Sequence, residues 1–121
     1  MPDGWFNLLT SVHRIVEEDR KSNAKRVKIA IFDTGVDATH PTISAAIKEK
    51  RIAGFFPNSL DEESRSDSLD PLNDTNGYGT HGTSVLLKTA PHAKIYVARV
   101  ASQDGVVIAE YIPKVITIFP L

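Results

Sequence analysis

The run Val27-Lys28-Ile29-Ala30-Ile31-Phe32 is apolar at all but one position and empties directly into Asp33-Thr34-Gly35. A continuous apolar run of this length suits a strand covered on both faces, as in parallel sheets, better than a half-exposed strand with alternating polarity. The sequence around it repeats the theme. Pro41 introduces a brief helix holding Ile43, Ala45, Ala46 and Ile47, Arg51 to Phe56 forms a weaker strand, and His81 to Ala90 reads as a helix closed by Pro91. Lys94 to Val100 is a third strand. Strands that alternate with helical segments are the signature of βαβ units. The fold class is therefore α/β: a parallel sheet flanked by helices in three layers.

The flanks are less regular. Asp3 is a plausible N-cap, and Trp5, Leu8, Leu9, Val12, Ile15 and Val16 recur at helical spacing, so residues up to about Lys21-Ser22-Asn23 read as an amphipathic helix covering a sheet. Pro57 to Asn76 is a polar loop carrying Asp61, Glu62, Glu63, Asp67, Asp70 and Asp74; its length marks an insertion or a functional loop. Near the end, Gly105 to Tyr111 offers about two helical turns, Pro113 interrupts, and Val115 to Phe119 looks like a strand cut short. The chain divides into an N-terminal helix (1–24), a core carrying the motifs (25–102) and an atypical tail (103–121).

Length and charge bound the possibilities. A chain of 121 residues allows one domain of ordinary size. Its net charge of -1 gives no reason to expect nucleic acid or an anionic membrane as partner. With no cysteine there is no disulfide framework, thiol nucleophile or cysteine-based metal site. The first residues lack the pattern of a secretory signal, and no apolar run approaches the roughly 20 residues that span a bilayer, so the chain as it stands favours the cytoplasm.

Two positions carry chemistry. Asp33 lies just past the end of a buried strand, where open α/β sheets place their sites, and Thr34-Gly35 turns the chain sharply there. His81 opens a helix among Gly77, Gly79 and Gly82, which leave room for close backbone approach. The helix macrodipole disfavours a protonated imidazole at that end. A carboxylate bonded to Nδ1 would counter the effect and leave Nε2 free to take a proton, making Asp33 and His81 two members of a charge-supported general base. No convincing serine follows them. Ser84 completes Gly82-Thr83-Ser84 but lies three residues from His81 on the same helix. His13, His40 and His92 read as structural or surface residues, and Asp37 as a brace for the turn after Asp33.

Ile31-Phe32-Asp33-Thr34-Gly35-Val36-Asp37 with His40-Pro41 resembles the aspartate motif of subtilisin-like serine proteases (peptidase S8). Gly79-Thr80-His81-Gly82-Thr83-Ser84-Val85 resembles their histidine motif, and Ala90-Pro91-His92-Ala93-Lys94-Ile95-Tyr96-Val97-Ala98 the segment after it. The resemblance covers about residues 27 to 102, the N-terminal portion of that family's catalytic domain, so it implies an incomplete subtilisin-like fold. It further implies a serine endopeptidase acting on peptide or protein substrates, with Asp33 orienting the histidine and His81 as general base, then general acid. The family's serine and oxyanion asparagine lie downstream in stretches with no counterpart here, and Leu87 stands where the serine motif has proline. The chain alone is thus expected to be inactive, poorly stable or aggregation-prone, with the remainder of the domain as a further partner. Calcium, often bound in the family, is unsupported: Thr42-Ile43 replace the usual acidic residue, and the acidic loop does not fit a calcium-loop spacing. No cofactor or metal is expected.

Other readings remain open. Asp-Thr-Gly is shared with aspartic proteases, but their fold is all-β, against the helical segments at 5–16 and 81–90, and inhibition by pepstatin would discriminate. Haloacid dehalogenases want Asp-x-Asp-x-Thr, which Thr34-Gly35 breaks. A non-catalytic α/β module, truncated or a pseudoenzyme, acting by binding is the main alternative.

Overall fold

Strand β3 (Lys94–Arg99) takes the centre of the sheet because its side chains are fit for burial on both faces. Ile95 and Val97 are fully buried on one face and Ala98 on the other. The computed structural model describes residues 2–20, 25–57 and 70–118. Within them, β1 (Lys28–Asp33) and β2 (Ile52–Phe56) pair in parallel with β3 on either side, in the order β1-β3-β2. The register sets Asp33 beside Arg99, at the C-terminal ends of the strands.

The pleat divides these residues between two cores. Ile31, Phe55, Ile95 and Val97 face α2 (Pro41–Lys48) and α3 (Tyr78–Thr89), packing with Val36, Ile43, Ala46 and Leu87. Phe32, Phe56 and Ala98 face the other way, onto Tyr111, Ile112 and Val115 of α4 (Tyr111–Ile118). Helices on both faces of a parallel sheet make the three-layer α/β arrangement expected from the alternation.

The connections place the site. β1 reaches β2 through α2 by stepping over the position of β3, and β2 returns through α3 in the opposite direction. Both helices lie on one face, so the two crossovers have opposite hands and one of them is left-handed, against a strong general preference. Each helix runs back from the C-terminal end of a strand. The N-terminus of α3, with His81, therefore lies at the same end of the sheet as Asp33.

Two expectations fail. The tail has its elements reversed: residues 111–118 are helical, and 105–110 are not. Pro113 is the third residue of α4, in the first turn, where a missing N–H removes no intrahelical bond. Tyr111, Ile112 and Val115 then bury at helical spacing. Gly105 instead turns at φ +81°, with Ser102 N bonded to Val106 O and an antiparallel bridge between Ala101 and Val107. Phe119 lies outside the described residues.

The N-terminal helix α1 (Pro2–Asp19) forms, but not as a cover for the sheet. It touches the far end of α3 and the turn after it through His13 Nε2 on Thr89 O (3.1 Å), Lys88 over the Phe6 ring, and a contact between the Glu17 carboxylate and His92 Nε2. Trp5, Leu8, Val12, Ile15 and Val16 stay exposed. Its expected end at 21–23 lies outside the described residues, as do Asp61, Glu62, Glu63 and Asp67 of the acidic loop. No described helix is long and apolar enough to cross a membrane.

Candidate active site

Asp33 is half-buried at the end of β1. Its carbonyl accepts Val100 N (2.9 Å), which fixes the strand end against β3, and Oδ1 accepts Thr34 N (2.7 Å). Oδ2 accepts no hydrogen bond among the described residues. Position 35 requires glycine: φ is left-handed at +93°, and a Cβ there would lie 2.8 Å from Pro71 O. The turn is zipped to the incoming loop by Val36 N on Pro71 O (2.8 Å) and Ala38 N on Leu72 O (3.4 Å). Asp37 braces the turn as expected: its Oδ1 accepts Thr39 Oγ1 and N, which hold its carboxyl below the ordinary range.

His81 is the fourth residue of α3 and is exposed. Its N–H makes the first bond of the helical ladder, to Gly77 O (2.9 Å). The four preceding N–H groups, orphaned in any helix, are all satisfied. Gly77 N and Thr80 N go to Asp74 (both 2.9 Å), Tyr78 N to Asn76 Oδ1 (3.2 Å) and Gly79 N to Thr34 Oγ1 (3.1 Å). The last of these ties the helix start to the residue after Asp33. A second tie runs from Asp37 N to Thr80 Oγ1 (2.9 Å). Backbone meets backbone where Gly79 packs on Gly35.

The two motifs are thus interlocked through their neighbours. Between the Asp33 and His81 side chains themselves there is no hydrogen bond among the described residues. Unliganded sites commonly hold such contacts long or misaligned until substrate tightens them. Ser84 Oγ donates to Thr80 O (2.8 Å) within its own helix, so its proton faces a main-chain carbonyl. His40 caps α2, its Nδ1 accepting Thr42 N (3.2 Å), while His13 and His92 hold α1. His40 N also donates to Asp37 O (3.1 Å), next to the Asp33 turn. Among the described residues no group of three or more His, Cys, Asp or Glu could hold a metal ion.

With this arrangement in view, the comparisons with known proteins decide the family. The subtilase family model matches residues 24–119. The chain belongs to the subtilase family. Among its relatives is the subtilisin-like protease PopC of Myxococcus xanthus (strain DK1622), 35% identical over 85 residues, covering 66% of this chain and 17% of that protein. An intracellular serine protease of Paenibacillus polymyxa is 29% identical over 94 residues, covering 70% of this chain and 26% of the relative. The chain spans about a quarter of these subtilases' length or less.

The sequence reading passed over three residues that build the surroundings of Asp33 and His81. Asp74 was one acid among six in a polar loop, yet it is 8% exposed and accepts hydrogen bonds from Thr34, Gly77 and Thr80. Burial pushes its carboxyl up, but the bonds from Thr80, Gly77 and Thr34 outweigh this and hold it below the ordinary value. Arg99 is 2% exposed, with Nε on Ala101 O and Nη1 on the carbonyls of Asp70 and Asn73; burial lowers its basicity, against the charges of Asp70 and Asp74. Gln103 Oε1 accepts Thr75 N and Asn76 N. The available signal was Asp74-Thr75-Asn76-Gly77, capping residues placed just before a helix.

Proposed function

We propose that this chain supplies the aspartate and histidine of a Ser-His-Asp endopeptidase acting on peptide or protein substrates. The observation that carries the reading is the interlock of Thr34-Gly35 with Gly79-Thr80, which brings the Asp33 turn and the His81 helix start together at one end of the sheet. Asp33 Oδ2 has lone pairs available to accept from Nδ1–H of His81, which would fix the tautomer with Nε2 as base. Nε2 then takes the proton of a serine hydroxyl as its oxygen bonds to the scissile carbonyl carbon. The same proton passes to the leaving amine as the C–N bond breaks. Ser84 is not that serine, since its Oγ donates to Thr80 O; by the family resemblance the serine belongs to a segment with no counterpart in this chain. No metal or cofactor is needed for these steps.

A fluorophosphonate probe with the purified chain tests this directly. The expected result is neither stoichiometric labelling nor peptide hydrolysis; labelling at Ser84 would overturn it. The bond of Ser84 also suits the second reading, a non-catalytic module acting by binding. The two part on whether Asp33→Asn changes the tautomer of the His81 ring: a triad pair requires that it does, a binding module does not.

A further inference from the structure

The net charge of -1 conceals a segregation of charge along the sheet. At the end where the strands begin, Arg26 and Lys28 lead into β1 and Lys94 opens β3. Lys48 ends α2 with Lys50 two residues on, and Lys88 lies in the last turn of α3. These cations are all exposed, and among the described residues none is in an ion pair. Lys28 and Lys94 are register partners on neighbouring strands, so two like charges lie side by side at a cost in stability. The acids nearby are Glu49 and, on α1, Glu17 and Glu18, of which Glu17 is taken up by His92. Asp33, Asp37, Asp70 and Asp74 lie at the opposite end, around the candidate site.

The α1 helix sits at this same basic end, held by Lys88, Thr89 and His92 just before β3. Its contact face is Phe6, Leu9 and His13, all partly buried. Trp5, Leu8, Val12 and Ile15 follow one another at spacings of three and four on a separate face, each about half exposed or more.

We propose that this end of the molecule docks on an anionic lipid surface, with the Trp5-Leu8-Val12-Ile15 face of α1 in the boundary between headgroups and acyl chains and the cations against the headgroups. Binding of amphipathic helices at that boundary scales with the apolar area buried plus the attraction to anionic lipid, and this end supplies both. Other occupants use only half of it. Nucleic acid would neutralise the cations and leave Trp5 and Leu8 in water. A second copy paired through α1 would cover the apolar face and leave Lys28 beside Lys94 uncompensated. The cations come from separate segments of the chain and share no fixed acceptor geometry, which suits mobile headgroups better than one rigid acidic partner. Asp33 and His81 lie a strand length away, about 20 Å at ~3.3 Å per residue, so docking leaves the candidate site facing solvent. The proposal does not depend on the triad reading.

Co-sedimentation of the 121-residue chain with vesicles of phosphatidylcholine, alone or mixed with phosphatidylglycerol, tests this, with circular dichroism to confirm the fold and a lipid-free control for self-association. Binding is expected only where phosphatidylglycerol is present, and it should weaken several-fold between low salt and about 0.5 M salt. Emission from Trp5, the single tryptophan, should move to the blue on binding. Lys94→Glu sets an opposite charge beside Lys28, so it relieves repulsion in the fold while weakening binding several-fold. Leu8→Gln with Ile15→Gln should weaken binding several-fold and abolish the blue shift. Lys114→Glu, in the first turns of α4 and away from the basic end, should leave binding unchanged. No binding, or equal binding to both kinds of vesicle, overturns the proposal, and so does native-like binding by Lys94→Glu. Loss of binding in Lys94→Glu but not in the glutamine pair marks a general polyanion site and overturns lipid docking. A lipid-free dimer with blue-shifted Trp5 and no vesicle binding assigns the apolar face to a second copy and overturns it too.

Discussion

Gly79 lies against Gly35 so closely that a Cβ on Gly79 would overlap the Gly35 carbonyl oxygen and sit 3.0 Å from its carbonyl carbon and nitrogen. Backbone cannot rotate aside as a flexible side chain can. This contact therefore sets how near the helix carrying His81 comes to the turn following Asp33, and it admits glycine alone.

Gly79→Ala should accordingly cost about 3 kcal/mol, the upper range for overpacking, with further loss of the Thr34–Gly79 hydrogen bond as the helix is pushed off. Gly82, two residues beyond Thr80 in the same helix, has nothing within 4 Å of its Cβ position. Gly82→Ala should stabilise by roughly 0.5–1 kcal/mol through helix propensity. Urea denaturation of the two variants measures both. Equal effects would mean that the backbone contact does not constrain the site.

Acid should loosen the hydrogen bonds around Asp74 in a defined direction. The carboxyl of Asp74 is held below its ordinary value in the folded chain, despite its burial, by Thr80, Gly77 and Thr34. Its contribution to stability is fully present above the unfolded-state pKa and is lost as pH falls through the folded-state one. Denaturation midpoints followed from about pH 7 down to about pH 2 should fall in the native chain once the ordinary carboxylate range is passed. In Asp74→Asn the midpoint should start lower and fall less steeply, and parallel curves would exclude Asp74 as a source of the acid dependence.

Arg99 holds the loop that delivers Asp74. Its guanidinium bonds the carbonyls of Asp70, Asn73 and Ala101 from a buried position. Arg99→Met keeps much of the volume but orphans those acceptors, at a cost of about 3 kcal/mol. Hydrogen exchange should accelerate first at the amides of Gly77 and Thr80, whose partner is Asp74, and much less at Ile95 and Val97 in the central strand. Uniform acceleration along the chain would indicate global destabilisation instead.

The sheet was legible because each strand is a short apolar run with turn signals beside it, and the motif segments because Asp-Thr-Gly and Gly-Thr-His-Gly stand at their ends. The hydrogen bonds around Asp74 were not. Asp74 shares its stretch of sequence with five other acids, and its partner Thr34 lies 40 residues away, a pairing that only the fold creates. Arg99 ends a strand that reads as apolar, and its role appears only once the carbonyls of Asp70 and Asn73 reach its guanidinium at the C-terminal end of the central strand. In the tail, Pro113 misled because a proline opening a helix and one breaking a helix look alike without the partners of the neighbouring N–H groups. The apolar spacing of α1 fixed its helicity correctly, but periodicity carries no information on whether a face is covered.

That uncovered face yields the last prediction. Leu8 and Ile15 are 66% and 61% exposed on α1, in line with Val12 and Val16, and an apolar stripe of this kind in water favours self-association. Leu8→Gln with Ile15→Gln retains good helix-forming residues and removes no core contact, so stability should change by less than about 0.5 kcal/mol. Sedimentation velocity should show less association than in the native chain. Val115, 4% exposed beneath the other face of the sheet, is the control: Val115→Ala should cost about 2 kcal/mol and leave association no better. If the glutamine pair instead destabilises as much as Val115→Ala does, the α1 stripe is packed in solution.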